Sequence, residues 1–244
     1  FCQDKVISTE VETKGENTFV AIVSDGAGSA SHSHIGSNMA TQLTMRYIMS
    51  FLESGDSIAS LAESKTTIQN WLWQIQQQIA EVANEEGIGK REYACTLTVA
   101  IVQETSGLFF QVGDGSIIFG KDNSYELAFW PMQYEYANVT DFITGSNVND
   151  SLRIRLVENS IDRVALMSDG LQRLALVFSS KIVHSPFFNA MFQPLQQYPK
   201  VGFSQSLSYA LCQFLGSSVV CERTDDDKSL VLALLDNSTE IEFD

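Results

Sequence analysis

Aspartate followed by glycine closes an apolar run three times in this chain, in Val23-Ser24-Asp25-Gly26, Val112-Gly113-Asp114-Gly115 and Met167-Ser168-Asp169-Gly170. Asp226 stands just ahead of another apolar run, and Asp4 lies near the amino end. A single Asp-Gly is the ordinary mark of a hairpin turn. Three of them at strand exits, in a strongly acidic chain, place carboxylates where one rim of a sheet can collect them. Carboxylates gathered so closely repel one another unless protonated or neutralised, and hard divalent cations neutralise them best. An all-oxygen donor set, with no His or Cys at ligand spacing, favours Mg²⁺ or Mn²⁺ over Zn²⁺. Glycine after the aspartate lets the main chain approach an ion and offer its carbonyl. The residues alone therefore point to a divalent-metal site.

Such a site needs strands that end together. Residues 18–24 (TFVAIVS) form a short β-branched run that stops at Asp25-Gly26, as a buried strand does. Residues 95–103, 108–112 and 116–120 follow one another at short intervals and read as an antiparallel meander. Residues 125–130 are a further strand candidate, with Asp122-Asn123 as a hairpin tip. Residues 163–168 and 229–236 complete the strands. Apolar residues recur at helical spacing over 33–53 and 57–84, the latter ended by Gly87 and Gly89. Helical patterning returns over 171–177, 181–192 and 203–215, while 131–150 is polar and irregular. Strands in blocks with helices between them argue for an α+β fold and against a parallel βαβ sheet.

Composition sets the outer limits. The chain has 244 residues, 44% of them hydrophobic and 18% charged, enough apolar material for a sizeable core. Four scattered prolines and no low-complexity tract leave no linker, so residues 1–244 read as one domain. A net charge of −15 argues against nucleic-acid binding and against docking to anionic lipid. Cys2, Cys95, Cys212 and Cys221 form no CxxC pair, which makes a reducing cytoplasm the expected compartment. No apolar run reaches the length of a membrane span, and a monomer is expected. The chain begins at Phe1 without an initiator Met, so trimming of upstream residues is expected.

Four motifs in order carry a resemblance: Cys2-Gln3-Asp4, Val23-Ser24-Asp25-Gly26-Ala27-Gly28-Ser29, Met167-Ser168-Asp169-Gly170-Leu171 and Asp226-Asp227-Lys228-Ser229. Between them lie Ala94-Cys95-Thr96-Leu97, Gly113-Asp114-Gly115-Ser116 and Glu135-Tyr136-Ala137-Asn138-Val139-Thr140. The chain resembles the metal-dependent protein phosphatases of the 2C type, in their bacterial branch, over nearly its whole length. The resemblance implies an α-β-β-α sandwich, two antiparallel sheets flanked by helices, with a two-metal site at one edge. It implies a serine/threonine protein phosphatase acting on phosphorylated proteins with Mn²⁺ or Mg²⁺. By the same resemblance Asp25 bridges both ions, Gly26 offers its carbonyl, Asp169 and Asp226 complete one ion, and Asp4 serves the other mostly through water. Asp114, with Asp169, matches the position of a third and weaker ion. A water bridging the two cations would attack phosphorus in line, without a phosphoenzyme. The rival expectation is a catalytically weak relative that keeps the fold and binds a phosphoprotein.

The pattern departs at Ala27, where many relatives carry a His implicated as general acid. That acid is then a metal-bound water, or His32 or His34 in the following loop. Lys5 is a weak substitute for a phosphate-holding Arg upstream of Phe1. The small-residue loop with Gly28, Ser29, Ser31 and Ser33 is either a phosphate cradle or an ordinary helix entry. Residues 131–150 are either a substrate-shaping flap or a long connection.

Overall fold

The computed structural model describes residues 2–131 and 140–235. In chain order its elements are β1 (Lys5–Thr13), β2 (Glu16–Ser24), α1 (Ser33–Ser54), α2 (Ile58–Glu63) and α3 (Lys65–Glu85), then a 3-10 turn at Lys90–Tyr93. Next come β3 (Leu97–Val102), β4 (Gly107–Val112), β5 (Ser116–Lys121), β6 (Ser124–Leu127), α4 (Val148–Ser151), β7 (Arg153–Val157) and β8 (Arg163–Met167). A 3-10 turn at Asp169–Leu171 leads into α5 (Gln172–Ala175), β9 (Leu176–Val177) and β10 (Ile182–Val183). The described chain closes with α6 (Ser185–Gln196), α7 (Gln205–Leu215), α8 (Ser218–Cys221) and β11 (Leu230–Leu234).

The strands form a five-stranded sheet in the order β1-β2-β3-β4-β7 and a four-stranded sheet in the order β11-β8-β5-β6, with β9 and β10 as a separate pair. Side chains alternate across a strand, and that alternation builds the layers. In β2, Val20 and Ile22 join an apolar cluster with Ile48, Ile68 and Leu72 of α1 and α3. Their neighbours Ala21 and Val23 join Ile117, Phe119 and Leu166 of the second sheet. Phe109 and Phe119 stack across this middle seam with ring centroids 5.0 Å apart. On the far side Ile118, Ala165 and Met167 pack with Phe188, Phe192 and Val220. Three seams between four layers make the α+β helix–sheet–sheet–helix sandwich.

Several local expectations are corrected. The run 95–120 is no single meander: β3 and β4 pair with each other, but β5 crosses to the other sheet and pairs with β6 and β8. β1 and β7 escape the hydrophobic pattern because they edge the first sheet and are interrupted by polar or charged residues. The helix read over 57–84 is broken between Glu63 and Lys65, at Ser64. Residues 181–192 hold the short β10 before α6, whose second residue is Pro186. Asp122 and Asn123, at φ 50° and 65°, make the two-residue tip of the β5–β6 hairpin, as a primed turn requires.

Candidate metal centre

Strand register brings the aspartates to one rim. Lys5 opposes Ser24, so Asp4 enters β1 where β2 releases Asp25. Ser116 and Leu230 both oppose Met167, so the end of β8 before Asp169 meets the starts of β5 and β11. Asp114 lies in the connection from β4 to β5, and Asp226 precedes β11. Glycines permit the close approach. A Cβ on Gly26 would stand 2.7 Å from the Gln3 carbonyl oxygen, and one on Gly170 would run into the Asp227 carbonyl.

The charges of these carboxyls act on one another. Burial first, then the charges of Asp4 and Asp169, push Asp25 up to about 10. Burial, Asp114 and Asp226 push Asp169 up to about 6. Asp4 is likewise raised, chiefly by burial, with the nearby Ser229 and Ser168 acting in the opposite sense. Both Asp4 carboxyl oxygens and Asp169 Oδ1 are buried without a hydrogen-bond partner. Among the described residues none of these five aspartates is in an ion pair with Lys, Arg or His. Buried carboxylates neither paired nor hydrogen-bonded are costly, and a hard cation is the ligand that relieves them. The donor set fits Mg²⁺ or Mn²⁺. No three His, Cys, Asp or Glu side chains among the described residues are gathered tightly enough to hold an ion on their own. An ion here would therefore complete its shell with main-chain carbonyl and water, as Mg²⁺ commonly does.

Main-chain and amide contacts fix the rim. Asp25 N donates to Thr96 Oγ1 at 3.0 Å, and Thr96 N donates to Asp25 O at 2.8 Å. Ser229 N donates to Ser168 Oγ at 3.0 Å, tying β11 to the end of β8. Gln172 Nε2 donates to the Asp114 carbonyl at 2.5 Å, and Thr140 Oγ1 donates to Asp114 Oδ2 at 2.7 Å. Gln3 N donates to Asp227 Oδ2 at 2.6 Å, anchoring the segment that presents Asp4. Sequence reasoning gave Thr96, Thr140, Gln172 and Asp227 no role. Thr96, Thr140 and Asp227 stood inside quoted motifs, whereas nothing local marks Gln172, whose partner is 58 positions away.

His32 precedes α1 without capping it through its side chain, and its Nδ1 meets Ser31 Oγ at 2.8 Å. Its Nε2 lies 3.7 Å from Glu86 Oε2 and its ring tilts against Tyr93, so His32 is engaged with the residue that follows α3 and with the 3-10 turn. His34 stacks on His32 at 6.5 Å. Lys5 is exposed at the start of β1, and Ser29 is exposed on the wall of a cavity of about 700 Å³. Of the motif over residues 135–140, residues 135–139 lie outside the described residues.

A family model described as protein phosphatase 2C matches residues 1–215. Serine/threonine-protein phosphatase 3 of Escherichia coli K12 is 34% identical over 212 residues, covering 87% of this chain and 82% of its own. The structure of the serine/threonine phosphatase Stp1 from Staphylococcus aureus has a TM-score of 0.62 at 17% identity, covering 97% of this chain and 90% of that one. PppA of Pseudomonas aeruginosa has a TM-score of 0.61 at 13% identity, covering 95% and 98%. At such identities the structures share the fold.

Proposed function

The chain belongs to the protein phosphatase 2C family, and from that premise we propose that it is a metal-dependent serine/threonine protein phosphatase working at the aspartate rim. One observation carries the reading: Asp4 and Asp169 have buried carboxyl oxygens without a hydrogen-bond partner, and both oppose the ionisation of Asp25. Asp4, Asp25 and the Gly26 carbonyl, with Asp169 and Asp226, are the residues we assign to two Mn²⁺ or Mg²⁺ ions, and Asp114 with Asp169 to a weaker third. Ions bound there supply acidified water and screen the phosphoryl oxygens.

The chain's own residues do the positioning. The charges of Asp4 and Asp169 both act on Asp25, which supports assigning its carboxylate to both ions. Thr96 locks the Asp25 main chain in both directions, which keeps that carboxylate from following its repulsion outward. Ala27 has no proton to give a departing hydroxyl, and His32 is held by Ser31 and Glu86. Water in the adjoining cleft is the proton donor consistent with that arrangement. Phosphopeptides test the proposal. With Mn²⁺, phosphoserine and phosphothreonine peptides should release phosphate; release from neither would refute it.

A further inference from the structure

Next to the aspartate rim lies a cavity of about 700 Å³, walled by Ala27, Ser29, Ala94 and Thr140 and lipped by Lys90 and Arg91. It adjoins the rim at two points. Ala27, which follows Gly26, donates its N–H to the Ala94 carbonyl at 2.9 Å, and Thr140 donates to Asp114. The basic pair is thus held beside the proposed reaction centre by the 3-10 turn Lys90–Tyr93.

The cavity is lined by two carboxylates, Glu92 and Asp141, and two cations, Lys90 and Arg91, and the Arg91 charge acts on Glu92. Glu92 accepts from both Ser31 N at 3.0 Å and Ser31 Oγ at 2.8 Å, which also fastens the turn to the loop after β2. Asp141 accepts from Asn147 Nδ2 at 3.0 Å. Lys90 and Arg91 are both exposed, and among the described residues neither is in an ion pair. In a chain with 30 acidic and 15 basic residues, two adjacent cations at this mouth have an electrostatic consequence. The field of a −15 protein repels an anionic substrate, and a local basic pair weakens that repulsion within about one Debye length.

We propose that this cavity is a substrate subsite in which Lys90 and Arg91 receive carboxylate side chains flanking the phosphorylated residue, so that the enzyme selects acidic phosphopeptides. The inference rests on the phosphatase reading above. It assigns the pair to binding and not to the chemical step.

The test compares phosphothreonine peptides of one length with Glu or Gln flanks on both sides, using the full chain in Mn²⁺. Each kcat/KM is divided by the same protein's rate on p-nitrophenyl phosphate. The wild type should prefer the Glu peptide about three- to tenfold at low salt, the range two exposed ion pairs supply, and less at high salt. Lys90→Gln/Arg91→Gln should bring the ratio near one, and Lys90→Glu/Arg91→Glu below one. A labelled, unphosphorylated Glu peptide should bind the wild type more tightly than the Glu double variant by fluorescence anisotropy. A wild-type ratio of one, a ratio unchanged in the Gln double variant, or equal anisotropy would overturn the subsite while leaving the phosphatase reading intact. Hydrolysis of neither peptide nor p-nitrophenyl phosphate would overturn both.

Discussion

Asp25 and Thr96 hold each other by two hydrogen bonds, Thr96 N to the Asp25 carbonyl and Asp25 N to Thr96 Oγ1, across 71 positions of sequence. The pair joins the end of β2 to the segment entering β3 at the point where the carboxylates meet. Thr96→Val keeps the shape and removes the acceptor, leaving the part-buried Asp25 N–H without its partner. The expected cost is about 1–3 kcal/mol of stability, together with weaker Mn²⁺ dependence of turnover. Thr96→Ser should restore both. Thermal melts and Mn²⁺ titrations of the two variants check this; a normal Thr96→Val protein would remove the proposed positioning role.

Asp25→Asn should be the most damaging single change, lowering turnover by about 100-fold or more, beyond the usual effect of disturbing residues behind a metal ligand. The same change should stabilise the metal-free protein at neutral pH, because it deletes a carboxyl that burial, Asp4 and Asp169 all oppose. Kinetics in saturating Mn²⁺ and melts in EDTA measure the two effects. Near-normal turnover would remove Asp25 from the centre of the site.

Asp114 accepts a hydrogen bond from Thr140 and hangs on the connection between the two sheets. Asp114→Ala should leave two ions bound and lower turnover, since a site with fewer carboxylates binds more weakly. Metal counting beside steady-state kinetics separates the cases. Normal turnover with two ions bound would make Asp114 a turn residue only, and loss of both principal ions would place it in the core of the site.

The metal-free protein should also have a distinctive pH response. Asp25 and Asp169, near 3.8 when unfolded, are raised to about 10 and about 6 in the folded chain. Between about pH 4 and pH 6 the folded state holds protons at both that the unfolded state has released. Above pH 6 Asp25 alone continues the trend. More protons bound in the folded state means stability falls as pH rises. In EDTA the wild-type Tm, taken relative to Asp25→Asn, should therefore decline from pH 4 toward pH 8. Saturating Mn²⁺ should remove most of the decline by displacing those protons. A flat difference would show that Asp25 is ionised without cost.

The sequence made the rim visible because each aspartate follows or precedes an apolar run, and the sandwich visible through its resemblance and its α+β pattern. It could not reveal β1, whose Lys5–Thr13 segment (KVISTEVET) lies at a sheet edge and has few apolar residues, in no regular alternation. Nor could it reveal that β5 leaves β4 for β8, since a strand's partner is chosen by its face and not by its neighbour in sequence. The contacts from Gln172 to Asp114 and from Gln3 to Asp227 span 58 and 224 positions, and no local spacing encodes them. His32 followed the small-residue loop as expected, yet Glu86, just past the end of α3 and reached only through the fold, is one of its partners.

The central claim is that the aspartate rim works through divalent cations. Phosphate release from a phosphothreonine peptide should be followed after exhaustive chelation and after stepwise return of Mn²⁺, with bound metal counted on the same samples. The account predicts loss of activity in EDTA and recovery in step with occupancy of the first two ions. Undiminished turnover in a sample shown to hold no metal would contradict it.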